Sequence, residues 1–337
     1  MVHIICHDWP STSGNHTGMM YLYKVIQSLN QTEFDIYILN KKNYRNRKIN
    51  NLKNIFSIIC LGIYFICRYK KGDKFLLTEY LINESYQVLF AKIIHKFHPE
   101  ALIYAMIHLT PIELEKRYST KEIQKSASYV SQVITLGSSL TSYLQKFGFN
   151  NIFTTFHYVD NEYYTPTDIN RTSPTKHVIV MGAMARDFEQ LIFIISQLPN
   201  VHFYVCKGKK DIDHLFKGLN NVTLIGYVSE DELKHYMDIS DISLNVMKDT
   251  IGSNVICTSL AMGLAMIVSN VGSIKDYCDA ENTIFCETTE DFILAIKKLI
   301  ANDDLLLSMK KSAYNKAQKY SLQNYRQELL KHLGFQK

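Results

Sequence analysis

No acidic residue occurs between Asp35 and Asp73, although nine basic ones do: Lys41, Lys42, Arg45, Arg47, Lys48, Lys53, Arg68, Lys70 and Lys71. Tryptophan is confined to Trp9, and the 12% aromatic content is otherwise Tyr and Phe. None of the seven cysteines (Cys6, Cys60, Cys67, Cys206, Cys257, Cys278, Cys286) forms a CxxC pair. That argues against a zinc site or a disulfide frame and for reduced, buried thiols in a cytosolic protein. The first residues, MVHIICHDWP, lack a basic segment followed by a long apolar one, so no secretory signal is expected. The longest apolar run, Ile55 to Cys67, is shorter than the ~20 residues a bilayer span needs. A soluble or peripheral protein is expected, with that run in its core. The net charge of +5 is too mild for a nucleic-acid partner.

What is present suits two domains. The chain has 337 residues, 47% of them hydrophobic, enough for a core in each half. Short apolar runs at Val2–Cys6, Phe34–Leu39, Phe75–Thr78, Leu102–Ile107 and Val133–Leu136 alternate with helical patterns at Met19–Leu29, Asn54–Tyr69, Glu84–Lys96 and Ser138–Phe147. Such alternation predicts βαβ units and a parallel sheet. Asn161–His177, with two of the six prolines and no periodicity, reads as a linker. A second alternation follows: strands at His177–Met181, His202–Cys206, Thr223–Ile225, Ile242–Val246 and Ala265–Val268, with helices at Asp187–Gln197, Ser229–Ile239 and Asn254–Met262. Three helices close the chain. The expected fold class is α/β, two doubly wound Rossmann-like domains over 1–165 and 166–320. The final helix, 321–337, is expected to pack back toward the first domain.

One segment carries most of the chemistry. Asp249-Thr-Ile-Gly-Ser-Asn-Val leads from a strand into a helix. Gly252 permits a sharp turn, Ser253 can cap the helix, and the first amides, Asn254 and Val255, would face the crevice beyond the strand ends. A helix N-terminus with partial positive charge receives a diphosphate without a metal. The plain alternative is an ordinary capped helix. Arg186, after the turn Gly182-Ala-Met-Ala, could supply a fixed cation to a leaving diphosphate, or simply pair with Asp187. Lys207 is a second possible cation, or part of a solvated turn. Asp211 and Asp213 form a DxD, read here as first-turn helix charges rather than metal ligands. No resident cofactor or metal is expected. The loop from Ser13 to Gly18 fails as a GxGxxG dinucleotide fingerprint.

The order of these pieces resembles the retaining GT-B glycosyltransferases of family 4. The matching stretches are Lys176–Ala185, VTLIGYVS at 222–229, DISDISLNVMKD, the 251–277 segment, and YVDNEYYTP as the hinge. The resemblance implies a nucleotide-sugar donor, uridine before guanosine, held by the second domain, and a glycan or lipid-linked acceptor held by the first. It implies nucleoside contacts from Gly182, Gly226, Tyr227, Val228 and Thr258. Diphosphate contacts would come from Gly18, Arg186, Lys207, Ser253, Asn254 and Val255. It gives catalytic roles to Arg186, to His108 near the sugar and to Asp249. The family's paired glutamates are replaced by Thr250 and Thr258, with Asp249 as a stand-in for the first. Three rivals stand beside this reading: a non-catalytic homologue acting as a partner subunit, a UDP-sugar epimerase of the same fold, and a phosphate- or nucleotide-binding regulator. The basic region Lys41–Lys71 is either a solvated loop or a contact with anionic membrane, the latter implying the inner face of the plasma membrane.

Overall fold

Parallel strands buried on both faces need nearly continuous apolar sequence, and β1 (Val2–His7) is buried along its whole length. The computed structural model describes residues 1–9, 14–30, 32–39, 47–171, 173–182 and 184–335. Ser13, Lys41, Lys42 and Arg45, singled out above, lie outside those residues, as does the side chain of Arg47. Two compact units result, Met1–Phe156 and His157–Lys337.

In the first unit β1 is joined by β2 (Phe34–Leu39), β3 (Lys74–Leu77), β4 (Leu102–Ile107), β5 (Gln132–Thr135) and β6 (Ile152–Thr154). All pairs are parallel, in the order β2-β1-β3-β4-β5-β6. The chain therefore reverses its direction of travel across the sheet between β1 and β3. The helices are α1 (Met19–Leu29), α2 (Arg47–Arg68), α3 (Gln87–Phe97), α4 (Pro111–Arg117), α5 (Thr120–Ala127) and α6 (Ser138–Gln145). Phe65 of α2, Phe75 of β3 and Phe90 of α3 meet edge to face in the core. Gly62 lets α2 approach α3: a Cβ there would stand 3.0 Å from a methyl of Ile93.

The second unit repeats the plan. Its strands are β7 (His177–Met181), β8 (His202–Cys206), β9 (Val222–Ile225), β10 (Ile242–Asn245), β11 (Ala265–Ser269) and β12 (Thr283–Cys286), ordered β12-β11-β10-β7-β8-β9 and all parallel. Here the reversal falls between β7 and β10. The helices are α7 (Phe188–Ser196), α8 (Glu230–Asp238), α9 (Asn254–Ala261), α10 (Ile274–Tyr277), α11 (Thr289–Ile300), α12 (Asp303–Ala317) and α13 (Leu322–His332). Val178, Val180, Phe203 and Ile267 from the sheet bury against Leu191, Ile194, Phe292 and Ile296 from α7 and α11. Leu and Ile side chains buried like this each contribute roughly 1.5–3 kcal/mol. Within the second unit, α13 sets Tyr325 against Tyr158.

The alternation expected from sequence is present, with informative differences. β6, β12, α4, α5 and α10 were not anticipated, being only three to eight residues long. Gly137 stands at the cap position of α6, with no side-chain cap hydrogen bond. Asp213 opens a single 3-10 turn rather than an α-helix. The largest departure is α2. It starts at Arg47, seven residues before the expected Asn54, because Ile49 and Leu52 continue its apolar spacing through the basic stretch. That makes it long and apolar enough, by length and composition, to cross a bilayer. Nor is its apolar run wholly core. Ile58 and Phe65 are sealed in, whereas Phe56, Ile59 and Ile63 are exposed, along with Cys60 and Cys67.

Candidate functional site

In the second unit the reversal point is a sharp loop after β7. Gly182 sits at φ +77°, and a Cβ on it would lie 3.1 Å from Val255 and 3.3 Å from the Arg186 guanidinium. Glycine therefore lets the arginine and the start of α9 converge on one place. The loop is pinned to the continuation of β10. Arg186 bridges Met247, the Asp187 N–H donates to the Val246 carbonyl at 3.1 Å, and the Lys248 N–H donates to the Ala185 carbonyl at 2.8 Å. Ala185 is held at φ +53°, a conformation that costs a non-glycine residue about 1 kcal/mol or more.

Asp187 does not pair with Arg186. It caps α7 through the Gln190 N–H at 3.1 Å, and its carboxyl lies 3.5 Å from Lys248. Arg186 Nε and Nη1 are buried with no hydrogen-bond partner among the described residues. Burial pushes its pKa down to about 10, so the guanidinium is still charged at neutral pH. Arg186 as a whole is half-buried, but guanidinium nitrogens buried without partners are unfavourable unless an anion joins them.

The start of α9 is the anion's other wall. Gly252, at φ +88°, has no room for a side chain, since a Cβ would fall 2.1 Å from the Tyr277 ring. Ser253 caps the helix, accepting from the Ile256 N–H at 3.3 Å. The amides of Asn254 and Val255 open the helix, at its electropositive end. Asp249 and Thr250 are buried, and both side chains accept hydrogen bonds within the loop. The Thr250 N–H donates to Asp249 Oδ1 at 2.8 Å, and the Gly252 N–H to Thr250 Oγ1 at 3.1 Å. Gly272 closes over both; its Cβ would meet the Thr250 carbonyl at 2.1 Å and Asp249 Oδ1 at 2.6 Å. The Thr258 hydroxyl donates back to the Asn254 carbonyl at 2.7 Å, inside the helix.

The remaining positions of this unit lie at the ends of the neighbouring strands. Lys207 follows β8; its backbone N–H donates to the Ile225 carbonyl at 2.9 Å, and its side chain is ion-paired with Asp213. Gly226, Tyr227 and Val228 follow β9. Tyr227 is exposed, with Lys209 Nζ 4.3 Å above its ring, and Gly226 has open space around it. The structure thus unites Gly182, Arg186 and Ser253–Val255 directly. It sets Lys207 and Gly226–Val228 along the same edge of the sheet, and engages the Thr250 and Thr258 hydroxyls with their own backbone.

In the first unit His108 follows β4, and its Nε2 donates to the Thr78 carbonyl at 2.7 Å. Burial outweighs the nearby Glu79 and lowers the pKa of His108, which keeps the ring neutral at neutral pH. Beside it is a cluster that sequence reading missed. His7, at the end of β1, is buried, stacks on Trp9 at 5.2 Å, and has Nδ1 3.5 Å from Glu79 Oε2. The Glu79 carboxyl accepts from the Thr78 hydroxyl and, at 2.9 Å, from Gln87 Nε2; the Glu79 N–H donates to Gln87 Oε1 at 2.8 Å. The available signal was a polar residue ending or following each strand run, CH after VHII and TE after FLL. Gly18 caps α1 at φ −76°, which any residue can adopt. The left-handed glycine of that loop is Gly14, at φ +82°. No three His, Cys, Asp or Glu side chains among the described residues are grouped to hold a metal ion.

Residues 175–302 match the family model described as Glycosyl transferases group 1. No curated protein matches the chain. Among solved structures, the sucrose-phosphate synthase of Thermosynechococcus elongatus is similar at TM-score 0.76 and 11% identity, over 98% of this chain and 98% of its own. HepE of Anabaena, solved with UDP, gives 0.72 and 12% over 99% and 100%. The catalytic domain of starch synthase IV from Arabidopsis thaliana, bound to ADP and acarbose, gives 0.73 and 10% over 99% and 98%. At these identities the likeness establishes the fold.

Proposed function

We infer that this chain, a GT-B protein whose residues 175–302 belong to the glycosyl transferases group 1, moves a sugar from a nucleoside diphosphate donor to a glycan or lipid-linked glycan. The observation that carries the reading is Arg186: two buried guanidinium nitrogens without partners, beside Gly182 and the start of α9. A diphosphate there would gain a charge-assisted contact from the arginine and dipole stabilisation from the helix. Both strengthen as negative charge grows on the leaving group, which is where catalysis needs them. The positive charge comes from the protein, so the reading requires no metal.

The chemistry we propose is retaining transfer. The bond from the anomeric carbon to the leaving phosphate oxygen breaks, and the acceptor oxygen bonds to the same face. The acceptor proton passes to the departing phosphate oxygen, so no protein nucleophile is used. Donor binding belongs to the second unit and acceptor binding to the first, where His108 offers a neutral ring for hydroxyl contacts. Uridine is the first choice of base, supported by the UDP in the Anabaena structure; guanosine is second. Work on a lipid-linked glycan would take place at the cytoplasmic face of the plasma membrane.

The test is a panel of labelled nucleotide sugars, with and without a chelator, read as donor hydrolysis and as thermal stabilisation. One donor should be turned over and should raise the melting temperature in both conditions. No response to any donor would refute the reading. A second reading, a non-catalytic partner subunit, is favoured by Thr250 and Thr258, whose hydroxyls are engaged with backbone. Stabilisation by a nucleotide without turnover would select it.

A further inference from the structure

Helix α2 has two apolar faces, and only one is buried by the described residues of the fold. Ile58 and Phe65 point into the core of the first unit. On the opposite side Ile49, Leu52, Phe56, Ile59 and Ile63 recur at spacings of three and four, which aligns them in one stripe along the axis. Leu52 is 67% exposed, Phe56 68% and Ile63 55%. A contiguous apolar stripe of this kind marks a surface that meets something other than water.

We propose that this stripe docks the protein on an anionic lipid surface, with α2 lying in the plane of the interface. Charge decides the occupant. Lys48 and Lys53 flank the stripe near its start, and Arg68, Lys70 and Lys71 are exposed at its far end. No acidic residue interrupts them from Asp35 to Asp73. A second copy of the chain, joined about a two-fold axis, would set these cations against themselves. An anionic bilayer complements them, and an apolar face between basic flanks is the composition of interfacial helices. Although α2 is long enough to cross a membrane, its buried Ile58 and Phe65 tie it to the sheet. It therefore lies on the bilayer. The proposal is independent of the transfer reaction and adds to it a location for the acceptor side.

The test is flotation of the full chain with phosphatidylcholine vesicles, plain or carrying about a third phosphatidylglycerol. Wild type should float with the anionic vesicles only, and should be released when salt rises from about 0.1 to about 0.5 M. The combined variant Leu52→Gln, Phe56→Gln, Ile63→Gln should melt at the wild-type temperature and bind the anionic vesicles at least about tenfold less well. The variant Arg68→Ser, Lys70→Ser, Lys71→Ser should lose binding to a similar extent. Equal flotation of wild type with both vesicle types, or unchanged flotation of the glutamine variant, overturns the proposal. So does a lipid-free wild-type dimer, by light scattering, that the glutamine variant converts to monomer, because the stripe then belongs to a second copy.

Discussion

The two sheets reverse direction at equivalent places, and the chain equips those places differently. Between β7 and β10 the second unit gathers a cation and a helix start: Arg186, Gly182 and Ser253–Val255. Between β1 and β3 the first unit gathers imidazole and carboxyl groups: His7 and Glu79, held by Gln87, with His108 one strand further on. Open parallel sheets bind ligands beyond the strand ends at such reversals, so topology makes both candidate sites. Under the proposed function their chemistries would divide the labour. A fixed positive pocket suits a diphosphate, and neutral or acidic hydrogen-bonding groups suit sugar hydroxyls.

The comparison breaks first at Arg186. Arg186→Ala should lower donor turnover by about 10²–10³-fold and abolish stabilisation by UDP. The melting temperature without ligand should stay the same or rise, since two buried guanidinium nitrogens without partners are removed. Lysine at this position should recover only part of the activity, lacking the planar fork. Unchanged turnover in Arg186→Ala would remove the second unit's claim to the donor.

Next is the turn that aims α9. Gly252→Ala puts a methyl 2.1 Å from the buried Tyr277 ring at φ +88°, and should destabilise the protein by about 3 kcal/mol. Gly226→Ala, with open space around it, should change stability by less than about 0.5 kcal/mol. Thermal scans of the two variants side by side check this. Equal effects would mean that Gly252 does not set the approach of α9.

The first unit answers differently. Glu79→Gln keeps an oxygen for the Thr78 and Gln87 contacts but alters the group facing His7. Transfer to an acceptor should fall about 10- to 100-fold, while stabilisation by UDP stays at the wild-type level. A parallel loss of UDP stabilisation would end the division of labour argued above.

These differences also govern what can be read from sequence. The second unit's site is local: strand, Gly252, Ser253 cap and helix follow one another within a few residues, and Arg186 sits directly after its own glycine turn. Rules for turns and caps reach that far. The first unit's cluster joins His7, Glu79, Gln87 and His108, and only the parallel register of β1, β3 and β4 makes them neighbours. No spacing within one segment carries that information. Side-chain commitments were also invisible. Thr258 lies in α9 where the family resemblance implies a nucleoside contact, yet its hydroxyl donates to the Asn254 carbonyl. The outer stripe of α2 was concealed because an apolar run does not reveal which of its faces is covered.

The smallest effect concerns pH. Burial lowers the pKa of His108 below the ordinary 6.5, so as pH falls below that value the unfolded chain takes up a proton before the folded one does. Stability is therefore full above about pH 6.5 and declines on acidification, by at most about 1.4 kcal/mol per pH unit for one such group. The decline ends once the folded ring also protonates. His3, His202 and His332 are shifted in the same direction, so the effect is shared. His108→Gln retains a donor for the Thr78 carbonyl and removes one titrating group. Melting temperatures between pH 7.5 and 5 should fall for both proteins, and less steeply for the variant. Identical slopes would mean that His108 protonates as readily in the folded state as in the unfolded one. The neutral ring that the first unit is said to offer a sugar would then be lost near pH 6.5.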